Sequence, residues 1–434
     1  MKYLLSIAGL LICSLATAME PQTYLQGGAK PFPPELKQKL DAHVGILSLG
    51  INSDWLAASD IDAAKYIEAL GVTATAVENG EIPGAVIYAD RIASNTIPIA
   101  IGYMMTDPQR RKVERDTMYD IGDLTGPLCT NPLVIAALMQ QKLKLDVKIS
   151  ELFPIFLGTN KEAITIEQLL RHTSGLPAVY TAPDILKTRD GILLWISIAT
   201  VTGSPGAQVE VSDLNEVLLG MVLEKVFEKK YSDLVQEMII DHYEMKPSAL
   251  GAPPNHRSII APGAYSDSLG RMVWAEPADP IAIALGADAG HAGMVVYADA
   301  LANLVKSTIP LITLSTLPGG EKFTPLGRLF QPSSDLPGGA QMAGGFMTGK
   351  LGPRSYGWDA RSGCSIWILP DKMAYIIFLS NYSHPAGLAG RTADCRDTVL
   401  PLLADSLLPL RPPVDTMKHT PESTTRGTLP SPSP

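Results

Sequence analysis

The sequence predicts an α+β (α/β) fold in which helices flank an antiparallel sheet and a mainly helical lobe is inserted between the strands. Two short β-prone runs follow the first helical pattern, a mostly helical stretch extends from about 124 to 285, and two more β-prone runs follow it. Strands from both ends of a domain, separated by helices, favour one sheet with an insertion. A cleft is expected where the lobe meets the sheet, and such clefts usually hold the ligand site.

The N-terminal residues have the pattern of a secretory signal peptide. Lys2 precedes the apolar run YLLSIAGLLICSL, and Ala16 and Ala18 fit a cleavage site. The run is short for a membrane span, although an N-terminal membrane anchor is the alternative. Residues 1–18 are therefore predicted to be a signal peptide. The protein is expected to be exported, periplasmic or secreted, with no membrane span after cleavage.

The composition excludes one class of partner and predicts two irregular segments. The formal net charge is -9 and no basic block is present, so nucleic acid is not expected as a partner. Residues 19–58, with PFPP and GG clusters, are predicted to be an irregular lead-in. The Pro- and Ser-rich residues 411–434 are predicted to be a disordered tail, because they contain few apolar side chains to bury.

Three cysteines follow the predicted signal peptide, namely Cys129, Cys364 and Cys395. An odd number is not a disulfide framework, so buried free thiols are expected. A bridge between Cys364 and Cys395 is an open alternative, because an exported protein meets oxidising conditions and the sequence does not give the geometry.

Residues 59–410 are predicted to form the folded domain, and its first elements are a helix and a hairpin. From Asp60, the run DIDAAKYIEALGVTATAVENG has apolar residues at helical spacing and ends in a glycine. The runs GAVIYADR and TIPIAIGYM, separated by a polar turn, predict a β-hairpin. The sheet lobe is assigned to about 59–120 and 286–410, and the helical lobe to about 121–285.

The C-terminal part of the domain is predicted to return to the sheet. The run HAGMVVYADALANLVKSTI predicts a turn into a helix. CSIWILP and MAYIIFLSN are β-prone runs on either side of the turn residues Pro370, Asp371 and Lys372. The last regular element is predicted to be a helix within GLAGRTADCRDTVLPLLADSLL.

Several segments between about residues 60 and 408 resemble the serine β-lactamase and penicillin-binding-protein-like hydrolases of the class C type. They are GEIPGAV, DTMYDIGDLT, ITIEQLLRHTSGLPA, SPGAQVEVSDLNEVLLG, GHAGM and SYGWDARSGCSIWILP. The resemblance implies a β-lactamase/DD-peptidase-like fold. It also implies a site with a nucleophilic serine, a lysine one helical turn later, a tyrosine loop and a His-Thr-Gly or Lys-Thr-Gly strand.

Carried over by position, the resemblance places other residues where the catalytic groups of that family stand. Asp123 is at the serine position and Gly126 at the lysine position. Val211 is at the tyrosine position, and Trp358 begins the third motif. No serine after residue 18 has a lysine three residues later, so the pair has not moved elsewhere. Catalytic residues are therefore not expected, because nucleophile, proton acceptor and third-motif donor are all replaced.

Four more residues are predicted to line the altered pocket, and they are Ser212, Asp213, Asp359 and Arg361. The carboxylates of Asp123, Asp213 and Asp359 would suit a divalent cation if they converged. Arg361 could instead pair with one of them, so no metal and no cofactor are predicted. His172 in RHTSGLP and His291 in GHAG are interpreted as hydrogen-bonding groups that fix their loops.

The degenerate positions each have two interpretations. Asp123 is a carboxylate nucleophile or, as the favoured reading, the N-cap of the next helix. Gly126 is a flexible ligand contact or simply a residue that weakens a helix by about 1 kcal/mol relative to Ala. Trp358 and Val211 form an aromatic platform for a peptide or sugar, or they plug an unneeded pocket.

The sequence thus favours a pseudoenzyme of the cell envelope that binds a cell-wall peptide or an envelope protein in or over the altered cleft. One alternative is an active esterase or D-amino-acid peptidase with a substituted mechanism that uses Asp123. The other is a structural or assembly protein with a filled cleft. An open pocket lined by Asp123, Val211 and Trp358 favours binding, whereas a Trp358 side chain packed into it favours the structural role.

Overall fold

The computed structural model describes residues 61–409 apart from 93, 95, 179–187, 252, 254–255, 264, 267–270, 275, 277–278, 317–326, 328, 332–340, 382–383 and 385–390, together with residues 35 and 38. The predicted signal peptide and the predicted tail lie outside the described residues, as does the lead-in 19–58 apart from 35 and 38.

Strands from both ends of the domain form one antiparallel sheet, as predicted. The described strands are β1 (Gly84–Arg91), β2 (Ile99–Met105), β3 (Arg111–Lys112), β4 (Tyr119–Asp120), β5 (Ala249–Leu250), β6 (Tyr265–Ser266), β7 (Arg271–Met272), β8 (Met294–Val296), β9 (Gln341–Ala343), β10 (Phe346–Thr348), β11 (Tyr356–Asp359), β12 (Ser365–Leu369) and β13 (Ala374–Ser380). Eight of them lie in the order β3-β2-β1-β13-β12-β11-β10-β9. The predicted β1–β2 hairpin and the β12–β13 pair are both confirmed.

The central strands are apolar on both sides because both faces of the sheet are covered. Successive side chains of a strand point to opposite faces. On β1, Val86 and Tyr88 join the core under the helical lobe, whereas Ala85 and Ile87 join a second core on the other face. The sheet therefore separates two cores.

Ten α-helices are described within residues 61–409. They are α1 (Ala63–Glu78), α2 (Asn131–Met139), α3 (Ile149–Leu152), α4 (Ile166–Leu170), α5 (Arg189–Ile198), α6 (Asp213–Phe227), α7 (Tyr231–Val235), α8 (Pro280–Leu285), α9 (Ala298–Thr316) and α10 (Arg391–Ser406). The predicted first and last helices, α1 and α10, pack on each other and on the outer face of the sheet. Asp62 caps α1, since its carboxylate accepts the N–H groups of Ala64 and Lys65.

The helical lobe is organised around α6, which is buried from Asp213 to Leu223. A small sheet in the order β4-β8-β5 lies beside it. The strand β8 differs from the prediction of a turn leading directly into a helix, because Met294–Val296 pairs with strands on both sides before α9 begins. Three apolar residues gave too short a pattern to identify as a strand.

The three described cysteines are free and buried. Cys364 belongs to the core under the helical lobe, whereas Cys395 on α10 belongs to the outer core. The sheet thus lies between them, which rules out the Cys364–Cys395 bridge in this fold.

Membrane insertion of a helix is not indicated by the described part of the chain. No helix there combines the length and the apolar character that a span requires.

Candidate functional site

Asp123 lies in a short helical turn, Gly122–Leu124, that follows β4. Its Oδ1 accepts the backbone N–H of Arg361 at 3.0 Å, and its Oδ2 accepts the indole N–H of Trp358 at 3.2 Å. The prediction that Asp123 caps the next helix is wrong. A tight turn and then a wide π-helical turn, Gly126–Thr130, lead into α2, and the carboxylate faces the sheet instead of free helix donors.

Arg361 joins the sheet to the helical lobe. It lies in the turn between β11 and β12, and its guanidinium contacts both Asp123, with Nε 3.7 Å from Oδ2, and Asp213 at the start of α6. The arginine side chain is 66% exposed, whereas the two carboxylates are largely buried. Arg361 therefore covers the carboxylates on the solvent side. The alternative that Arg361 pairs with an aspartate is confirmed, whereas its role in lining a pocket stays a prediction.

Trp358 fills the space between β11 and the helical lobe. The side chain is 2% exposed, and its ring lies 5.6 Å from the ring of His172, centroid to centroid. With its N–H donated to Asp123, the indole satisfies its one polar group. Val211 is partly buried and packs against the same core. The geometry therefore favours the plug over the platform for Trp358.

Asp359 does not join this cluster, which corrects its prediction as a pocket residue and as a member of a three-carboxylate set. It follows Trp358 on a strand, so its side chain points to the opposite face. There Oδ1 accepts from Ser365 Oγ at 2.7 Å and from Trp367 Nε1 at 2.9 Å, and Lys350 pairs with the carboxylate. Burial alone would raise the pKa of Asp359, but the charge of Arg396, followed by the hydrogen bonds from these neighbours, lowers it below its ordinary value.

His172 and Ser212 fix the loop before α6, as predicted for His172. His172 Nδ1 accepts the backbone N–H of Ser212 at 3.2 Å and lies 3.0 Å from Asn215 Nδ2. Because a backbone N–H can only donate, Nδ1 carries no proton there. Ser212 caps α6 through Leu214 and donates its hydroxyl to the carbonyl of Pro177 at 2.6 Å. Ser212 thus has a structural role within the site.

Gly126 is explained by close packing rather than by helix weakening. A Cβ built at Gly126 would lie 2.4 Å from Cγ of Glu216, which is far inside contact distance. The Glu216 side chain is buried, and its Oε1 lies 2.8 Å from His172 Nε2. A carboxylate on α6 therefore occupies the space beside the position that the resemblance assigns to lysine. Neither residue spacing nor a motif indicates this role for Glu216.

A second buried pair adjoins Asp213 and was also missed. His291 Nε2 lies 2.7 Å from Oδ1 of Asp279, and that oxygen also accepts the N–H of Ala282 at the start of α8. Burial alone would lower the pKa of His291, but the hydrogen bond and charge of Asp279 raise it above its ordinary value. The pKa of Asp279 is lowered by His291 against the effect of burial. Asp279 and Pro280 at the start of α8 form a pattern that is typical of a helix cap, and nothing in the sequence links Asp279 to His291.

The charges of this region are mostly carboxylates. Burial raises the pKa of Asp123, and the charge of Arg361 partly opposes that shift. Burial likewise raises the pKa of Asp120 to about 6, although its Oδ1 accepts the Gly122 N–H at 2.8 Å. Among the described residues of the site, hydrogen bonds and ion pairs link the charged side chains, and Arg361 is the most exposed of them.

Comparison with known proteins identifies the family. Residues 65–397 match the family model described as Beta-lactamase. The chain belongs to the beta-lactamase family. The resemblance predicted from the motifs is therefore confirmed, and so is the predicted fold.

Protein flp of Staphylococcus aureus (strain MW2) is among the sequences to which this chain is similar. It is 27% identical over 177 residues, which are 39% of this chain and 35% of flp. The match thus spans about a third of the length of that relative.

Solved structures extend the likeness over most of the chain. A class C beta-lactamase in complex with cefoxitin has a TM-score of 0.62 at 18% identity, covering 80% of this chain and 100% of that chain. The octameric penicillin-binding protein homologue from Pyrococcus abyssi also has a TM-score of 0.62 at 18% identity, covering 78% of this chain and 77% of that chain. At these identities the likeness shows the fold alone.

The contact between Gly126 and Glu216 predicts strong coupling between two substitutions. Gly126→Ala should lower the free energy of unfolding by about 1–3 kcal/mol, because the added methyl group overlaps Glu216 Cγ. In a Glu216→Ala background the same change should cost close to nothing, as measured by urea unfolding of the four proteins of a double-mutant cycle.

Gly71 provides the matched control for that cycle. It lies within α1, and a Cβ there would meet nothing within 4 Å, so Gly71→Ala should stabilise the protein in both backgrounds. An equal cost of Gly126→Ala with and without Glu216 would contradict the packing explanation.

Asp120 predicts a pH-dependent difference in stability. Its pKa is raised to about 6 in the folded protein, so the folded state binds the proton more tightly than the unfolded chain does. The stabilisation of the folded state by this proton is fully present below pH 4 and is lost as the pH rises through 6. Asp120→Asn keeps an oxygen that accepts the Gly122 N–H and removes the titrating group. The free energy of unfolding of the variant relative to the wild-type protein, measured by thermal unfolding, should therefore be about 1–3 kcal/mol higher at pH 7.5 than at pH 4. A difference independent of pH would disprove the shift.

Proposed function

We propose that the protein is a non-catalytic member of the beta-lactamase family, exported to the cell envelope, that acts through contacts of its surface with an envelope protein. The observation that carries the proposal is that the Asp123 carboxylate is fully engaged by hydrogen bonds and an ion pair. Both of its carboxylate oxygens hold hydrogen bonds from the sheet, and its charge is paired with Arg361. A nucleophile or general base needs an oxygen that is free to reach the substrate.

The surroundings of Gly126 support the same proposal. In the family that the sequence resembles, the lysine at this position, or a nearby tyrosine, takes the proton of the nucleophilic serine. Here the side chain of Glu216 lies against Gly126, and a carboxylate at this position would oppose the formation of an anionic transition state. The alternative of a hydrolase that uses Asp123 therefore has no supporting contact among the described residues.

The packing of Trp358 supports one of the two non-catalytic alternatives. The buried indole occupies the position where the strand with the third motif would face a ligand in the family, and its N–H donates a hydrogen bond to Asp123. This favours a filled cleft over deep binding of a cell-wall peptide. A partner that contacts the exterior of the domain, such as an envelope protein, needs no open cleft.

Covalent probes test the absence of catalysis. A fluorescent penicillin and a serine-reactive phosphonate should leave the wild-type protein unlabelled, since Asp123 stands where a serine would react. Hydrolysis of cefoxitin, of an ester and of a D-amino-acid peptide should not exceed that of Asp123→Ala. An active class C beta-lactamase, treated in parallel, shows that the reagents are competent.

Two outcomes would overturn the proposal. One is covalent labelling of the wild-type protein, and the other is turnover that disappears in Asp123→Ala. The variant Asp123→Ser/Gly126→Lys should also remain silent, because Glu216 leaves no room for the lysine and Trp358 still fills the cleft.

A further inference from the structure

We propose that Asp213, Asp279 and His291 form a binding site for a divalent transition-metal ion of the Zn²⁺ or Mn²⁺ class. One carboxylate oxygen from each aspartate and one ring nitrogen of the histidine lie within 4.8 Å of one another. Imidazole nitrogen with two carboxylate oxygens is a donor set that suits such ions, whereas Mg²⁺ and Ca²⁺ prefer oxygen ligands alone. The proposal is independent of whether the protein turns over a substrate.

Three separate segments hold these ligands, so their proximity does not follow from one local turn. Asp213 is the first residue of α6, Asp279 is the N-cap of α8, and His291 lies in the glycine-rich turn before β8. The turn is held tightly against α6, because a Cβ at Gly290 would lie 2.2 Å from the carbonyl oxygen of Glu216. The hydroxyl of Thr130 also donates to the Gly290 carbonyl. The backbone around the site is thus fixed before any ion binds.

The ligands are mostly shielded from solvent, yet one side is accessible. The side chain of His291 is 2% exposed and that of Asp213 is 9% exposed, whereas that of Asp279 is 26% exposed. An ion can therefore enter beside Asp279, and water can complete its coordination on that side.

The local charge provides an independent reason for a cation. Besides Asp120, four buried or half-buried carboxylates lie in this region, namely Asp123, Asp213, Glu216 and Asp279. Their ion pairs among the described residues are with one guanidinium, that of Arg361, and with two imidazoles. Buried carboxylates in excess of cations are costly unless they are paired or bind a metal ion. A divalent ion would offset that excess at Asp213 and Asp279.

Arg361 gives the proposal a distinctive consequence. Its guanidinium pairs with Asp213 and is exposed, so it can leave the carboxylate without opening the core. A cation bound at Asp213 would compete with this arginine for the same carboxylate and would be repelled by its charge. Arg361→Gln should therefore bind the metal more tightly than the wild-type protein, an effect that loss of a merely structural ion pair would not produce.

The experiment measures Zn²⁺ and, separately, Mg²⁺ uptake by metal-free, untagged full-length protein with isothermal titration calorimetry. We expect one equivalent of Zn²⁺ bound by the wild-type protein, binding at least tenfold weaker in His291→Gln and in Asp279→Asn, and binding severalfold tighter in Arg361→Gln. Mg²⁺ should bind much more weakly than Zn²⁺. Asp279→Asn preserves the N-cap of α8, since asparagine caps helices as well as aspartate does, and so it separates loss of a ligand from loss of the fold.

His242→Gln is the matched control, because His242 is exposed and lies outside the cluster. It should bind Zn²⁺ like the wild-type protein. The proposal is overturned if the wild-type protein binds no Zn²⁺ at micromolar concentrations, or if Asp279→Asn binds it as tightly as the wild-type protein does. Neither result would bear on labelling by penicillin, so failure of the metal site can be told apart from failure of the proposed function.

Discussion

The ion bridge from Asp123 through Arg361 to Asp213 is the interaction on which the site depends. It ties the turn between β11 and β12 to the turn before α2 and to the first residue of α6. Buried carboxylates are stable only when they are paired or hydrogen-bonded, and removing one partner of such a pair leaves the other uncompensated. The arginine therefore allows two aspartates to lie where the sheet meets the helical lobe.

The same arrangement explains why a family scaffold can persist without an open cleft. Trp358 packs beneath the bridge, and Glu216 fills the space that Gly126 leaves free. Each of these side chains is held by a neighbour from another segment, so the polar groups satisfy one another instead of a substrate. Hydrogen bonds that enzymes keep available for a transition state are here made within the folded chain.

The sequence predicted most of the fold and only part of the site. The hairpin of β1 and β2, the β12–β13 pair and the end helices α1 and α10 followed from apolar spacing and turn residues, which are local properties. Contacts between distant segments have no such pattern. The Asp123 carboxylate was predicted to cap a helix because an Asp before a helical pattern commonly does so. Its hydrogen bond with Trp358 joins two residues that are far apart in the sequence, so residue spacing does not predict it. Asp359 was predicted to line the pocket because it follows Trp358 in the third motif. Which of two adjacent strand residues faces the pocket depends on the register of the strand, and a shift of one residue reverses the faces.

A filled site without a free Asp123 oxygen requires that the Trp358 indole is buried and donates its hydrogen bond to Asp123. Hydrogen exchange of tryptophan indole N–H groups, followed by NMR and assigned with Trp358→Phe, measures both. The Trp358 indole, identified as the signal that disappears in Trp358→Phe, should be strongly protected in the wild-type protein and should lose protection in Asp123→Ala, whereas the Trp367 indole, which is bonded to Asp359, should stay protected in both variants. A Trp358 indole that exchanges as fast as an exposed one in the wild-type protein would contradict the filled, self-paired site.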